Sequence, residues 1–253
     1  MKVIILCGGK GMRMRGLQEN IPKALANVQG KPIIWHIMKH YSRFGHSHFV
    51  LPLGYQGDKI KEYFVQYPWR NHNFQLNLAE NSYEISEKWE DWSITCVDTG
   101  IDTMTGARVK KVKDFIDDEI FLLTYGDGLS DVNINEVIEY HKEKGKTVTL
   151  VGIKKANQYG VLQLEDGIAT GFAEKPKQND LINGGFFVCN QDFFHYLSDD
   201  SSCVLEEGPL QQLISNQELA VYEHNGAWMS IDTPKDLEDA NKTWSFPSEG
   251  DKK

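Results

Sequence analysis

The chain opens with a short apolar run that breaks straight into a glycine-rich loop. Val3-Ile4-Ile5-Leu6 is uninterrupted and mostly β-branched, the composition of a strand buried on both faces. It gives way to Gly8-Gly9-Lys10-Gly11-Met12-Arg13, three glycines with two cationic side chains among them. Such a loop is expected to use positive φ and to present main-chain N–H groups with no Cβ to hold a ligand away. The junction therefore reads as a phosphate cradle at the carboxyl end of a strand, although a glycine turn that only reverses the chain has the same local composition. Two better-known phosphate loops are excluded. No Gly-x4-Gly-Lys-Ser/Thr occurs, and the Gly8, Gly9, Gly11 spacing misses Gly-x-Gly-x-x-Gly.

Beyond this loop the chain alternates helix and strand. Ile33 to Phe44 has apolar residues at helical spacing and stops at Gly45; Phe49 to Leu53 reads as a strand and Asp58 to Tyr67 as a helix. That rhythm predicts a mostly parallel sheet covered on both faces, with ligands beyond the strands' carboxyl ends. Asn71 to Asp98 reads as two strands separated by an irregular acidic stretch, Glu80 to Asp91. Thr99 to Arg108 is a second loop of glycines, hydroxyls and a cation, opening a helix over Val109 to Phe115. Its N-terminal N–H groups are expected to face an anion, or else to be capped by Thr105. Ile120 to Thr124 is a buried strand ending in Tyr125-Gly126-Asp127-Gly128, followed by a helix over Asn133 to Lys144 and a strand over Val148 to Ile153. From Tyr159 the pattern turns antiparallel, with a hairpin around Glu165-Asp166-Gly167 and a further strand over Ile182 to Val188. Helix over Glu206 to Ser215, strand over Glu218 to Glu223, and Trp228 to Asp232 lead to Thr233-Pro234, the start of a last helix ending near Trp244.

Composition narrows the function. A net charge of −9 argues against general affinity for nucleic acid or anionic membrane, so any anionic ligand must be held by local cations and a metal. No apolar run approaches the roughly 20 residues that span a bilayer. Cys7, Cys96, Cys189 and Cys203 are scattered, with no zinc-type spacing, and are expected to be reduced thiols in the cytoplasm.

The joint order of these features carries a resemblance. Gly8-Gly9-x-Gly11-x-Arg13, Pro22-Lys23, Thr105-Gly106-x-Arg108, Gly126-Asp127-Gly128, Glu174-Lys175-Pro176, Asn183-Gly184-Gly185 and Asp232-Thr233 resemble the motif series of sugar-1-phosphate nucleotidylyltransferases, from Met1 to about Lys242. Met12 stands where that family usually has threonine. Trp35 to Lys39, Gly54 to Gly57, Ile60 to Phe64, Val97 to Gly100, Met104 to Gly106 and Thr124 to Gly128 look most like the glucose-1-phosphate cytidylyltransferase branch.

The resemblance implies one nucleotide-diphospho-sugar transferase-like, Rossmann-like α/β domain over residues 1–245. Its sheet would be mixed and mostly parallel, flanked by helices, with a small antiparallel portion. Residues 246–253 read as a disordered tail. The implied reaction is attack of a sugar 1-phosphate on the α-phosphorus of CTP, with Mg²⁺ on Asp127 and Asp232 and with subunits that self-associate. Arg13, Lys23 and Asp127 are the implied catalytic residues. Leu6, Gly8, Gly9, Lys10, Gly11, Met12, Arg13, Lys23, Thr105, Arg108 and Gly126 would bind the nucleotide; Tyr159, Gly160, Glu174, Lys175, Asn183, Gly184 and Gly185 would bind the sugar phosphate. Two alternatives stay open at this point. One is a guanylyl- or uridylyltransferase for another hexose or heptose phosphate. The other is a non-catalytic nucleotide-sugar sensor, favoured by Met12.

Overall fold

The computed structural model describes residues 1–9, 21–85, 90–154, 161–165, 167–173 and 181–245. In chain order these form β1 (Lys2–Leu6), a 3₁₀ turn (Lys23–Leu25), β2 (Asn27–Val28), β3 (Lys31–Pro32), α1 (Ile33–Arg43), β4 (His48–Leu53), α2 (Gly57–Val65) and α3 (Tyr67–Asn71). Next come β5 (Phe74–Asn77), β6 (Ser82–Ile85), β7 (Ser93–Asp98), α4 (Thr105–Lys111), β8 (Ile120–Tyr125), β9 (Gly128–Ser130), α5 (Ile134–Lys144) and β10 (Val148–Lys154). The last third holds β11 (Val161–Glu165), β12 (Ile168–Ala173), β13 (Leu181–Asn190), α6 (Pro209–Ser215), β14 (Leu219–His224), β15 (Trp228–Ser230) and α7 (Pro234–Thr243).

β1 lies at the centre of the parallel part of the sheet. It pairs in parallel with β8 on one side (Leu6 opposite Tyr125) and with β4 on the other (Val3 opposite Phe49), and β7 continues beyond β4. β13 runs antiparallel to β8 and to β10, and β14 pairs with β10 in parallel, so the sheet is mixed. The hairpin β11–β12 is attached through Leu162 opposite Leu181 and Ile168 opposite Ala220.

Burial explains the apolar interior of β1. Val3, Ile4 and Ile5 are each 0% exposed. Val3 and Ile5 pack with Ile33, Ile37 and Met38 of α1, together with residues of α5 and α7. Ile4 faces the other way, among Val109 of α4, Leu213 of α6 and Phe193. Each such side chain contributes about 2 kcal/mol by leaving water. Helices thus cover both faces of β1. Among the described residues no helix is long and apolar enough to cross a membrane.

Several expected elements shift in detail. Phe44 caps α1 and Gly45 follows at φ +83°, the left-handed stop that the sequence signals. Asn133 caps α5, accepting from the N–H groups of Asn135 and Glu136. α2 starts at Gly57 and ends at Val65, and Tyr67 belongs instead to α3. The stretch expected to be irregular contains β6, which pairs with β5 as an exposed hairpin (Asn77 opposite Ser82). α6 begins only at Pro209, which lacks the N–H a helix interior needs and so suits a first turn.

Candidate active site

The carboxyl ends of β1, β4, β7 and β8 lie at one sheet edge, and a cavity of about 560 Å³ opens there. It is lined by Leu6 to Gly9, by Lys23 and Ala24, by Ile101 to Thr105 with Arg108, by Tyr125 to Asp127, and by Asp232. The loop after β1 passes so close to its neighbours that two of its glycine contacts admit no side chain. A Cβ on Gly126 would sit 2.5 Å from the Leu6 carbonyl oxygen, and one on Gly8 would sit 2.5 Å from the Arg108 guanidinium. Positive φ, the property expected of this loop, is absent at Gly8 and Gly9. Gly8 is small because Arg108 fills the space beside it.

A cation between two carboxylates forms the polar centre. Pro22 holds an extended conformation ahead of the 3₁₀ turn, and Ala24 anchors that turn in the core. Lys23 is thereby aimed into the cavity. Its Nζ donates to Asp127 Oδ2 at 2.6 Å and to Asp232 Oδ1 at 2.7 Å. Burial alone would push this ammonium's pKa down, but the two carboxylates outweigh burial and hold it above its ordinary range. The aspartates, remote in sequence, are brought together by the short ladder β9–β15, in which Gly128 lies opposite Ser230. The N–H of Ile231 donates to the Asp127 carbonyl at 2.9 Å and closes this arrangement. Ser230 Oγ donates to Asp232 Oδ2 at 2.6 Å. Thr233 and Asp236 form a reciprocal capping box at the start of α7, and the Asp232 N–H also donates to Asp236 Oδ2 at 3.0 Å. Two carboxylates thus share the Lys23 ammonium.

Arg108 lines the cavity, but its donors end on protein. Nη1 donates to the Leu53 carbonyl (3.0 Å) and Thr99 Oγ1 (2.6 Å), and Nη2 to the carbonyls of Gly8 (3.0 Å) and Ile101 (3.2 Å). The guanidinium ties the ends of β1, β4 and β7 to α4. The expected free N-terminus of the helix is likewise occupied. α4 begins at Thr105 with Met104 as its cap, and the Cys203 carbonyl accepts from the N–H groups of Gly106 and Ala107. Thr105 is not the cap; its hydroxyl donates to Glu206 and accepts from the Leu205 N–H at 2.9 Å.

The same Glu206 carboxylate accepts, at Oε1, from the half-buried Tyr125 hydroxyl, which itself accepts from Asn183 Nδ2 at 3.3 Å. Burial, then the Glu206 carboxylate, raise this phenol well above its usual range. Gly185, at φ +81°, faces the Tyr125 ring, where a Cβ would come within 2.7 Å. The Gly184 carbonyl accepts from Trp228 Nε1–H at 2.7 Å. The Asn183 to Gly185 stretch thus adjoins Tyr125 and supports it from behind. Lys10, Gly11, Met12, Arg13, Tyr159, Gly160, Glu174 and Lys175 lie outside the described residues, as does the tail 246–253. Sequence reasoning misses Ser230 and Glu206, while the rim from Ile101 to Thr103 falls inside the Thr99 to Arg108 loop that it singles out. Of these two only Ser230 carries a signal, standing two residues before Asp232.

Comparison with known proteins places this geometry. The family model for Nucleotidyl transferase matches residues 2–245. A protein of Bacillus subtilis (strain 168) described as a probable glucose-1-phosphate cytidylyltransferase is 48% identical over 245 residues, covering 97% of this chain and 96% of that one. Glucose-1-phosphate cytidylyltransferase of Salmonella typhimurium is 42% identical over 241 residues, covering 93% of each. Among solved structures, HddC from Yersinia pseudotuberculosis superposes with a TM-score of 0.77 at 18% identity, covering 96% of this chain and 99% of that one. UDP-glucose pyrophosphorylase complexed with UDP-glucose gives 0.72 at 16% identity, covering 95% and 97%. These two share the fold. The full-length family match and the 48% identity go further: the chain belongs to the nucleotidyl transferase family and is a sugar-1-phosphate nucleotidylyltransferase.

Proposed function

We propose that this enzyme condenses CTP with glucose 1-phosphate to give CDP-glucose and pyrophosphate. The observation that carries the reading is the convergence of Lys23, Asp127 and Asp232 at the cavity beside the β1 loop. The choice of substrates rests on the relatives, whose printed names are glucose-1-phosphate cytidylyltransferases. In the reaction a phosphate oxygen of the sugar attacks the α-phosphorus, a P–O bond forms, and the bond to the bridging oxygen of pyrophosphate breaks. The phosphate is already a competent nucleophile, so no protein base is required. What the chain supplies is alignment and charge neutralisation.

The Gly8 to Gly9 main chain would lie against the triphosphate, with Lys10, Gly11, Met12 and Arg13 completing that loop. Lys23 would neutralise charge at the reacting phosphates. Arg108 would act as a positioning residue that holds the Gly8 carbonyl and the Thr99 to Ile101 loop in place. Tyr159, Gly160, Glu174 and Lys175 would hold the sugar phosphate, with Asn183 to Gly185 shaping that side through Tyr125.

Asp127 and Asp232 fit a hard divalent ion such as Mg²⁺. Both are oxygen donors, and they already converge on one cation. When bound, such an ion withdraws charge from the phosphates and the leaving pyrophosphate. We further assign the protein to the cytoplasm, as a self-associating domain over residues 1–245 that binds neither nucleic acid nor membrane. Pyrophosphate release from CTP and glucose 1-phosphate with Mg²⁺ tests the reading. Turnover that stops with EDTA supports it, and binding of CTP without turnover would favour a sensor.

A further inference from the structure

Lys23 occupies the place between Asp127 and Asp232 that a shared ion would take. Its Nζ lies 2.6 Å and 2.7 Å from one oxygen of each, and its side chain is only 16% exposed. The Asp232 carboxylate has little freedom to turn aside, and the Asp127 main chain is fixed beside it. Ser230 grips the other oxygen of Asp232, the capping box fixes the Asp232 main chain, and the Ile231 N–H holds the Asp127 carbonyl. The two inner oxygens therefore face a single point. A magnesium-sized ion needs its oxygens at about 2.0–2.1 Å. An ion bridging these two oxygens and the ammonium exclude each other, by volume and by charge.

We propose that Lys23 is a built-in counter-ion that competes with the divalent ion for Asp127 and Asp232, so that the ion enters as the ammonium leaves. The inference rests on the metal assignment above. Without nucleotide the ammonium keeps its two carboxylate partners, and the ion binds weakly. A triphosphate on the same cavity wall offers the ammonium a replacement anion. Nucleotide and ion then assist each other through the lysine as well as by direct contact, which keeps the site from holding a stray ion while it is empty of substrate. An ion that used only the outer oxygens would leave the lysine where it is, and the two arrangements predict different binding.

The probe is Mn²⁺ alone, with the free ion read by electron paramagnetic resonance against wild type, Lys23→Met, Lys23→Gln and Lys23→Met/Asp127→Asn. Both single variants should bind Mn²⁺ without nucleotide about ten-fold or more tightly than wild type. The Asp127→Asn change should abolish that gain. Equal or weaker binding in folded Lys23 variants overturns the proposal. If neither variant folds, the side-chain ammonium resonance of Lys23 in the wild type decides: its salt-bridged signal should be lost as Mg²⁺ is added, and a signal unmoved at saturating Mg²⁺ refutes displacement. Asp127-dependent Mn²⁺ binding seen with CTP, but unchanged in Lys23→Met without it, refutes the counter-ion alone. Absence of any Asp127-dependent binding even with CTP removes the metal assignment as well.

Discussion

Replacing Arg108 with methionine separates a positioning role from direct nucleotide binding. The side chain is 4% exposed, and four of its five N–H donors end on Leu53, Thr99, Gly8 and Ile101. A hydrogen bond from a charged donor is worth about 1.5–3 kcal/mol net, so a simple sum would be large. Two facts reduce it. The Leu53 and Gly8 carbonyls keep other partners, the N–H groups of Thr99 (2.9 Å) and Tyr55 (3.1 Å). Methionine also removes the cost of burying a guanidinium. The balance is a loss of about 2–3 kcal/mol, which for a domain of this size lowers the melting temperature by roughly 5–10 °C. Thermal melts followed by circular dichroism, alongside CTP binding by calorimetry, read both quantities. A melting point within about 2 °C of wild type together with a collapse of CTP affinity would refute the reasoning. Arg108 would then be a ligand of the triphosphate.

The same geometry predicts three other outcomes. Asp127→Asn and Asp232→Asn should each cut kcat by about 10²-fold or more while the fold persists; near-normal turnover in Mg²⁺ would contradict the assignment. Lys23 has a raised folded-state pKa, so its stabilisation is complete below the unfolded value of about 10.4 and is lost as pH rises through the folded value. Urea midpoints measured up to about pH 11 should fall on that alkaline limb in wild type and not in Lys23→Gln; parallel curves would count against it. Gly126→Ala places a Cβ 2.5 Å from the Leu6 carbonyl, which should cost about 1–3 kcal/mol and weaken CTP binding. Unchanged stability and affinity would show that the β1–β8 edge can open freely.

Much of the frame is legible in the sequence because its causes are local. The unbroken Val3 to Leu6 run encodes burial on both faces, Gly45 a helix stop, and Thr233-Pro234 with Asp236 a helix start. The apolar run before Asp127 places that residue at a strand's carboxyl end. The hidden part depends on partners far along the chain. Nothing near Lys23 says that it meets Asp127 and Asp232, 104 and 209 residues away. Arg108 reads as an anion ligand because a cation early in a helix is poor dipole chemistry. Three of its four partners, the carbonyls of Gly8, Leu53 and Ile101, are main chain and leave no side-chain signature; the fourth is the Thr99 hydroxyl. Gly8 is required, but for packing and not for φ; the two causes look alike in sequence when the packing partner is 100 residues away. The β5–β6 hairpin is only half visible, because its second strand is polar and lies exposed.

The central claim is the choice of base. Cytosine and uracil differ in whether the edge at N3 and the 4-position donates or accepts. A site built to pair one edge leaves buried polar groups unpaired against the other, which can cost several kcal/mol. Leu6 to Gly9 line the cavity; the Leu6 carbonyl accepts from the Gly126 N–H and the Gly8 carbonyl from the Tyr55 N–H and Arg108, so such pairing falls to the other main-chain atoms of the stretch. The decisive measurement is kcat/KM for CTP, UTP, GTP and dTTP in parallel, each with glucose 1-phosphate and Mg²⁺. CTP should lead by about 10²-fold or more; equal or better use of UTP or GTP would contradict a preference for cytosine.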